Sequence, residues 1–258
     1  MSAQADKRTT RFDAEAASYD ASKPYLLPWA DEAAKTLVSY LPKTSQQPLI
    51  GMELGCGTGL VSQRVLKSTN PPVAFILGVD ASEGMITAFN AKAAALAEDN
   101  GLVSPGSPLT LESPPRGMYA VYCMIEDDSS LRQSVAATPF ADVLPTQDFD
   151  FVVSHITWHH IRDLNAMAKH IWRLLKPGGV FLIVDYEKTS DSIEFHPPSG
   201  RSEVEHLWGF SKDDLRGHLE GAGFVHVETR DVLTFERTGK DDGVTRKFTF
   251  IGAKGVKE

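Results

Sequence analysis

"MELGCGTGLVSQRVL", residues 52–66, sets three glycines at alternate positions close behind a carboxylate, and its reading decides the fold. The apolar run "PLIGMEL" (48–54) leads into the glycines, and "LVSQRVLKS" after them carries apolar residues at helical spacing. That is strand, tight turn, helix. The unit recurs along the chain. "VAFILGVD" (73–80) is a β-rich run ending in a carboxylate, and "SEGMITAFNAKAAALAED" opens on Ser82 as the N-cap of an Ala-rich helix. A proline- and glycine-rich stretch at 101–117 reads as an inserted surface loop before the third strand, "MYAVYCMI" (118–125). "FDFVVSH" (149–155) is the fourth strand; "LNAMAKHIWRLL" is helical, and "KPGG" (176–179) turns it into the fifth, "VFLIVDY" (180–186). The tail departs from the pattern. "SKDDLRGHLEGAG" is a helix capped by Ser211, and "FVHVETRDVLTFERT" and "TRKFTFIGAKG" flank "GKDDG" as the arms of a hairpin.

Apolar strands alternating with helices predict an α/β fold, because each crossover helix must pack back onto a parallel sheet right-handedly. The expectation is a doubly wound, Rossmann-like sheet, mostly parallel and seven-stranded, closed by a C-terminal antiparallel hairpin. No linker divides the chain, so residues 1–258 read as one domain: a helical lid over 1–45, a cofactor-binding core over 46–258, and a substrate loop at 186–210. In such sheets ligands sit beyond the carboxyl ends of the strands, where strand order reverses, and the glycines fall there.

Composition excludes several classes. The 258 residues are 42% hydrophobic with a net charge of −8, a field that repels a phosphate backbone and argues against nucleic acid as partner. No apolar stretch reaches the roughly 18 to 20 residues of a membrane span, and the first thirty residues do not read as a signal peptide. A cytoplasmic protein acting on a small molecule is expected. Two cysteines, Cys56 and Cys123, are too few for a disulfide framework and lack metal-site spacing.

The glycine turn also limits the ligand. The dinucleotide pattern G-x-G-x-x-G would need its third glycine at Leu60, which disfavours NAD, and no Gly-Lys-Ser/Thr triplet follows, which disfavours a nucleoside triphosphate. Glycine admits positive φ and close approach of a ligand to backbone, while the carboxylate of Glu53 suits a cationic ligand better than a pyrophosphate.

The motifs, in this order, resemble the class I S-adenosylmethionine-dependent methyltransferases over most of the chain. "ELGCGTG" is similar to that family's first motif, "GVDASEGM" (78–85) to its second, "IEDD" (125–128) to the acidic end of its third strand, and "FDFVVSHITWHHIRD" with "LLKPGGVFLIVD" to its fourth and fifth strands. Its opening "RFDAEAASYD" (11–20) is similar to that of the small-molecule branch named for ubiquinone and menaquinone biosynthesis. The resemblance implies S-adenosylmethionine as cofactor, with Asp80 on the ribose hydroxyls, Glu126 and Asp127 beside the adenine, and Tyr19 over the methionine end. Glu53, Gly55, Cys56, Gly57, Gly59, Ala81, Met85 and Ser154 complete the implied site.

Other chemistry-bearing residues lie outside these motifs. "HITWHH" crowds His155, His159 and His160 at the end of strand four, where His155 and His159 would line a pocket and His160 would pack beneath the helix. The stretch 185–210 places Asp185, Glu187, His196 and His206 on one connection. His196 and His206 are the expected acceptor-facing residues, one of them a base if the acceptor arrives protonated, with Asp185 or Glu187 raising its proton affinity. No tight ligand spacing is present there, so no metal is expected. Trp29, Phe195, Trp208 and Phe210 would wall an apolar acceptor pocket or serve as core. The expected activity is methyl transfer to a small molecule at oxygen, sulfur, nitrogen or carbon; a catalytically silent protein of the same fold and an NAD-dependent oxidoreductase are the alternatives.

Overall fold

The computed structural model describes residues 7–42, 47–68, 72–99, 116–125, 127, 129–239 and 242–258. Most of the inserted loop, Glu126, Asp128 and two residues of the hairpin turn lie outside the described residues. The N-terminal segment forms α1 (Lys7–Glu15), the short α2 (Tyr19–Ser22) and α3 (Leu26–Tyr40). Then follow β1 (Leu49–Leu54), α4 (Leu60–Leu66), β2 (Val73–Asp80), α5 (Glu83–Asp99), β3 (Gly117–Tyr122), α6 (Ser130–Ala136), β4 (Phe149–His155), α7 (Leu164–Leu174) and β5 (Leu175–Tyr186). The chain ends in α8 (Lys212–Gly221), β6 (Val225–Thr238) and β7 (Thr245–Val256).

Among the described residues seven strands form one sheet, in the order β3-β2-β1-β4-β5-β7-β6. The β1–β2, β1–β4, β2–β3 and β4–β5 pairs are parallel, and β7 runs antiparallel to both β5 and β6. Strand order therefore reverses between β1 and β4, and the glycine turn leaves β1 at that point. Successive strand residues serve opposite faces, as the two-residue period of a strand requires. In β5, Val180, Leu182 and Val184 pack with α3, α4 and α5, whereas Phe181 and Ile183 pack with α6, α7 and α8. Both faces are covered, which is why these strands read as continuous apolar runs.

Local signals agree with the elements. Ser82 Oγ accepts the Met85 amide at 3.1 Å, Asp163 caps α7 through the Ala166 amide, and Ser211 with Asp214 forms a reciprocal capping box on α8. The third strand ends at Tyr122, earlier than its sequence pattern: its partner β2 ends at Asp80, whose carbonyl accepts the Cys123 amide as the last bond between the two. "KPGG" is part of β5 rather than a turn before it: Gly178 N donates to Lys257 O at 2.7 Å, and Lys257 N to Gly179 O at 3.0 Å. The C-terminal residues supply partners that the local sequence does not reveal.

The N-terminal segment divides in two. α1 and α2 lie over the carboxyl edge of the sheet, but α3 is core: Ala33 and Leu37 are fully buried, and Trp29 packs on Phe235, Phe250 and Phe195. Truncating a residue as buried as Leu37 to alanine costs about 2–5 kcal/mol. Among the described residues no helix is long and apolar enough to cross a membrane.

Candidate functional site

Gly55, Gly57 and Gly59 all hold positive φ, at +65°, +50° and +82°, yet their surroundings differ. A Cβ on Gly55 would lie 2.1 Å from Thr157 Cγ2, and one on Gly59 would lie 2.7 Å from the Phe89 ring. These two let the turn press against the segment after β4 and against α5. A Cβ on Gly57 would meet no atom within 4 Å, and Gly57 lines a cavity of about 590 Å³. Of the three, Gly57 keeps the cavity clear.

Two carboxylates fix the turn. Asp80 Oδ2 accepts the Gly57 amide at 2.8 Å and Oδ1 the Ser82 amide at 2.9 Å, which joins the ends of β1 and β2. Burial pushes its carboxyl above the usual value, against the pull of those amides. Glu53 Oε2 accepts the Ser62 amide at 3.0 Å and the Ser62 hydroxyl, tying β1 to the first turn of α4. Burial raises Glu53 to about 7.

The cavity opens across the strand ends, in the usual size range for small-molecule sites. Tyr19, Glu53, Gly55, Cys56, Gly57, Asp80, Ala81 and Met85 line it together, with Cys123, Met124 and Ile125 beyond β3, Arg162 just before α7, and Met167 and His170 along it. Phe12, Leu26 and Ala30 contribute from the N-terminal helices. Two carboxylates hold those helices down. Asp13 Oδ1 accepts the Ser82 hydroxyl at 2.6 Å and the Gly84 amide at 2.9 Å. Asp20 accepts the Thr58 hydroxyl at 2.6 Å and pairs with Lys92, whose Nζ also reaches Thr58 O. Both clamps grip the motifs that the sequence singles out, and both carboxylates stand within "RFDAEAASYD"; a pair of acids there is the signal that would have found them.

Three expected cofactor residues are not on the cavity wall. Gly59 faces Phe89; Asp127 turns back onto the amides of Ser129 and Ser130 at 2.8 and 3.0 Å, capping its own helix; Ser154 is fully buried within β4. Glu126 lies outside the described residues.

The histidines are sorted differently from the expectation. His155 and His160 line the cavity, and His159 is buried beneath it. The short 3-10 turn Trp158–His160 carries His159 inward, where its Nδ1 sits 2.8 Å from Asp185 Oδ1. Asp185 also accepts the amides of His159 and Tyr186 at 3.1 and 2.8 Å, and burial raises its carboxyl to about 7. Its carboxylate thus serves His159 rather than His196 or His206. His160 Nδ1 donates to Glu203 O at 3.0 Å while its ring meets Phe12 edge-on. Burial holds His155, His159 and His160 at about 4, 3 and 3, so all three imidazoles are neutral at pH 7.

His196 and His206 do not line the cavity. His206 Nε2 lies 3.0 Å from Ile161 O, and the His196 ring packs among His159, His160, Tyr186 and Phe195, where burial depresses it to about 2. The aromatic wall is also relocated. Trp29, Phe195 and Phe210 are core, Trp208 is half exposed, and none lines the cavity, because the loop 187–210 folds against the hairpin through Arg237, which donates to Glu194 O and Phe195 O. Glu187 pairs through its backbone with Phe210 and Thr249, and its carbonyl also accepts the Ser192 hydroxyl at 2.8 Å. Among the described residues no group of three or more His, Cys, Asp or Glu converges as metal ligands.

Known proteins share this architecture. An S-adenosylmethionine-dependent methyltransferase of Thermotoga maritima, described as a possible histamine N-methyltransferase, superposes with a TM-score of 0.57 at 17% identity, covering 97% of this chain and 100% of that one. Phosphoethanolamine N-methyltransferase 2 of Haemonchus contortus, solved in complex with S-adenosyl-L-methionine, superposes at 0.51 with 16% identity over 87% of this chain and 52% of that one. An uncharacterised methyltransferase of Schizosaccharomyces pombe is 26% identical over 180 residues, 69% of this chain; the match spans 54%, about half, of that relative's length. The family model for a methyltransferase domain matches residues 27–229, so the chain belongs to that family.

Proposed function

We propose that the chain methylates a small-molecule acceptor in the cytoplasm by in-line displacement, with S-adenosylmethionine held across the Gly55–Gly57 turn and Asp80. The observation that carries this reading is the open space before Gly57, a place where any side chain would stand in the cavity. The residues fit the cofactor. Asp80 keeps lone pairs beyond its two amide bonds for a pair of hydroxyls, Glu53 offers a buried carboxylate to an ammonium, and Met124 and Ile125 offer apolar surface to a base. Bound there, the cofactor supplies a methyl group already activated by its sulfonium. The chain's own task is then to align a nucleophile and exclude water. A cavity at the strand ends, with the neutral imidazole of His155 at the end of β4, suits that task.

The lid in this reading is α1 with α2, since α3 belongs to the core. Asp13 and Asp20 latch it to Ser82, Gly84, Thr58 and Lys92, so closure and an ordered cofactor site depend on the same contacts. Titration calorimetry with S-adenosylmethionine, followed by release of S-adenosylhomocysteine with candidate acceptors, tests the proposal. Tight binding without turnover on any acceptor favours the catalytically silent reading, and binding of NAD in place of S-adenosylmethionine refutes both.

A further inference from the structure

Strand order separates the cofactor's part of the cavity from the acceptor's, on the reading that S-adenosylmethionine occupies the glycine turn and Asp80. Along β3-β2-β1-β4 that reading sets the base at Met124 and Ile125 beyond β3, the ribose at Asp80 of β2 and the ammonium at Glu53 of β1. The next strand end is that of β4, which falls to the group being transferred and the acceptor that approaches it. His155, Ile156 and Thr157 form the wall there. Three successive residues on one wall depart from the two-residue period of a strand, so the backbone must turn at that point.

The turn is made by Ile156, at φ +53°. Positive φ is a conformation that suits glycine, and a β-branched side chain tolerates it poorly. Among the described residues only Asp148 and His226 share it without being glycine, and neither lines the cavity. Neighbouring groups hold the turn in place. The Ile156 amide donates to Val184 O at 2.9 Å, and the Thr157 hydroxyl lies 3.2 Å from both Gly55 O and His155 O. The Ile156 side chain packs against the core on the α3 face of the sheet, yet the residue stays partly accessible. Glycine would make the same turn without strain, so strain kept at a cavity wall points to a task for the side chain itself.

We infer that Ile156 is a specificity-determining residue: the left-handed turn sets its side chain at the β4 side of the cavity, where it limits the size of the group carried on the cofactor's sulfur. A methyl group fits beside it and a longer alkyl group does not. One added methylene in an apolar pocket typically discriminates by about 10- to 200-fold, which is the range open to such a limit. Glycine at this position would keep the turn and leave the space open. The role is one of size alone, so it holds whatever charge Glu53, Asp80, Arg162, Asp163 and His170 bring to the rest of the wall.

Titration calorimetry with S-adenosyl-L-methionine, S-adenosyl-L-ethionine and the analogue bearing allyl in place of methyl tests this without a known acceptor. The wild type should bind the allyl compound at least about tenfold more weakly than S-adenosylmethionine, with the ethyl compound between them. Ile156→Gly should bring methyl and allyl compounds to within about threefold of each other, with Ile156→Ala intermediate. Ile156→Val removes one methylene and keeps the branched shape, so it should narrow the ratio in the same direction even if the smaller variants do not fold. A side chain that served packing alone would change all three affinities by one factor and leave their ratio where it was. Equal affinities for the methyl and allyl compounds in the wild type, or a ratio unmoved in the folded variants, would overturn the inference and leave the cofactor site standing. Failure to bind S-adenosylmethionine at all would instead remove the reading on which it rests.

Discussion

Replacing Gly57 and Gly59 separately divides the glycine turn into its binding part and its packing part. Both residues sit at positive φ, where a side chain costs about 1–2 kcal/mol. On Gly59 the new carbon would also lie 2.7 Å from the ring of Phe89, which is fully buried, and overpacking of that kind adds roughly 1–3 kcal/mol. Gly59→Ala should therefore lose about 2–5 kcal/mol of stability from these two terms. At Gly57 a new Cβ meets no protein atom, so the cost of Gly57→Val to the fold is mainly the conformational one, while its branched carbons enter the cavity. Its affinity for S-adenosylmethionine should fall at least about a hundredfold, or roughly 2.7 kcal/mol. Chemical denaturation and titration calorimetry on the same preparations separate the two effects. Unchanged affinity in Gly57→Val, or a larger stability loss there than in Gly59→Ala, would refute the assignment of bare backbone to the ligand.

Asp80→Ala removes the acceptor shared by the Gly57 and Ser82 amides and should weaken cofactor binding about tenfold or more, measured by calorimetry, since charge-assisted hydrogen bonds contribute about 1.5–3 kcal/mol each. Asp20→Ala releases Thr58 and Lys92. In that variant amide exchange across 7–22 should speed up, α3 should keep its protection, and cofactor should slow exchange in the wild-type segment; equal rates with and without cofactor would count against a lid. Acid should destabilise the protein. His155, His159, His160 and His196 are all depressed by burial, to between about 4 and about 2, so the unfolded chain takes up their protons first as pH falls below 6.5, and stability falls with it. Glu53 and Asp185, raised to about 7, act in the opposite sense: the folded state binds their protons first, so their contribution grows as pH drops from about 7 towards 4. Four groups against two leave the unfolded state with roughly two extra protons near pH 5.5, a slope of about 2–3 kcal/mol per pH unit. Thermal melts should be nearly level between about pH 7.5 and 7, where the two sets cancel, and fall from about pH 6.5 to 5.5; a melting temperature that rises over that lower range would contradict it.

Residue types and their spacing determine this fold because apolar alternation, caps and the glycine turn are local signals. β2 and β4 have the bounds that their apolar runs suggest, and Ser82 and Ser211 cap the helices that follow them. Most of the cavity wall was legible for the same reason, since Glu53, Gly57 and Asp80 stand at strand ends next to their own motifs. Contacts between distant segments were not legible. Which histidine meets Asp185 depends on the turn after β4 packing against the end of β5, so His159 turns inward and His155 and His160 stay at the cavity. His196 and His206 carry suitable chemistry on a suitable loop, but the His196 ring packs among aromatic rings next to the segment that Arg237 of β6 holds, and His206 Nε2 is taken up by Ile161 O. Gly55, Gly57 and Gly59 are indistinguishable as letters, and what separates them is Thr157, open space and Phe89, brought from elsewhere in the chain. The sequence by itself determined the order of elements and the cofactor chemistry, because both depend on neighbours within a few residues. Tertiary structure alone decided which side chains line the cavity, because that depends on packing between segments roughly 20 to 100 residues apart.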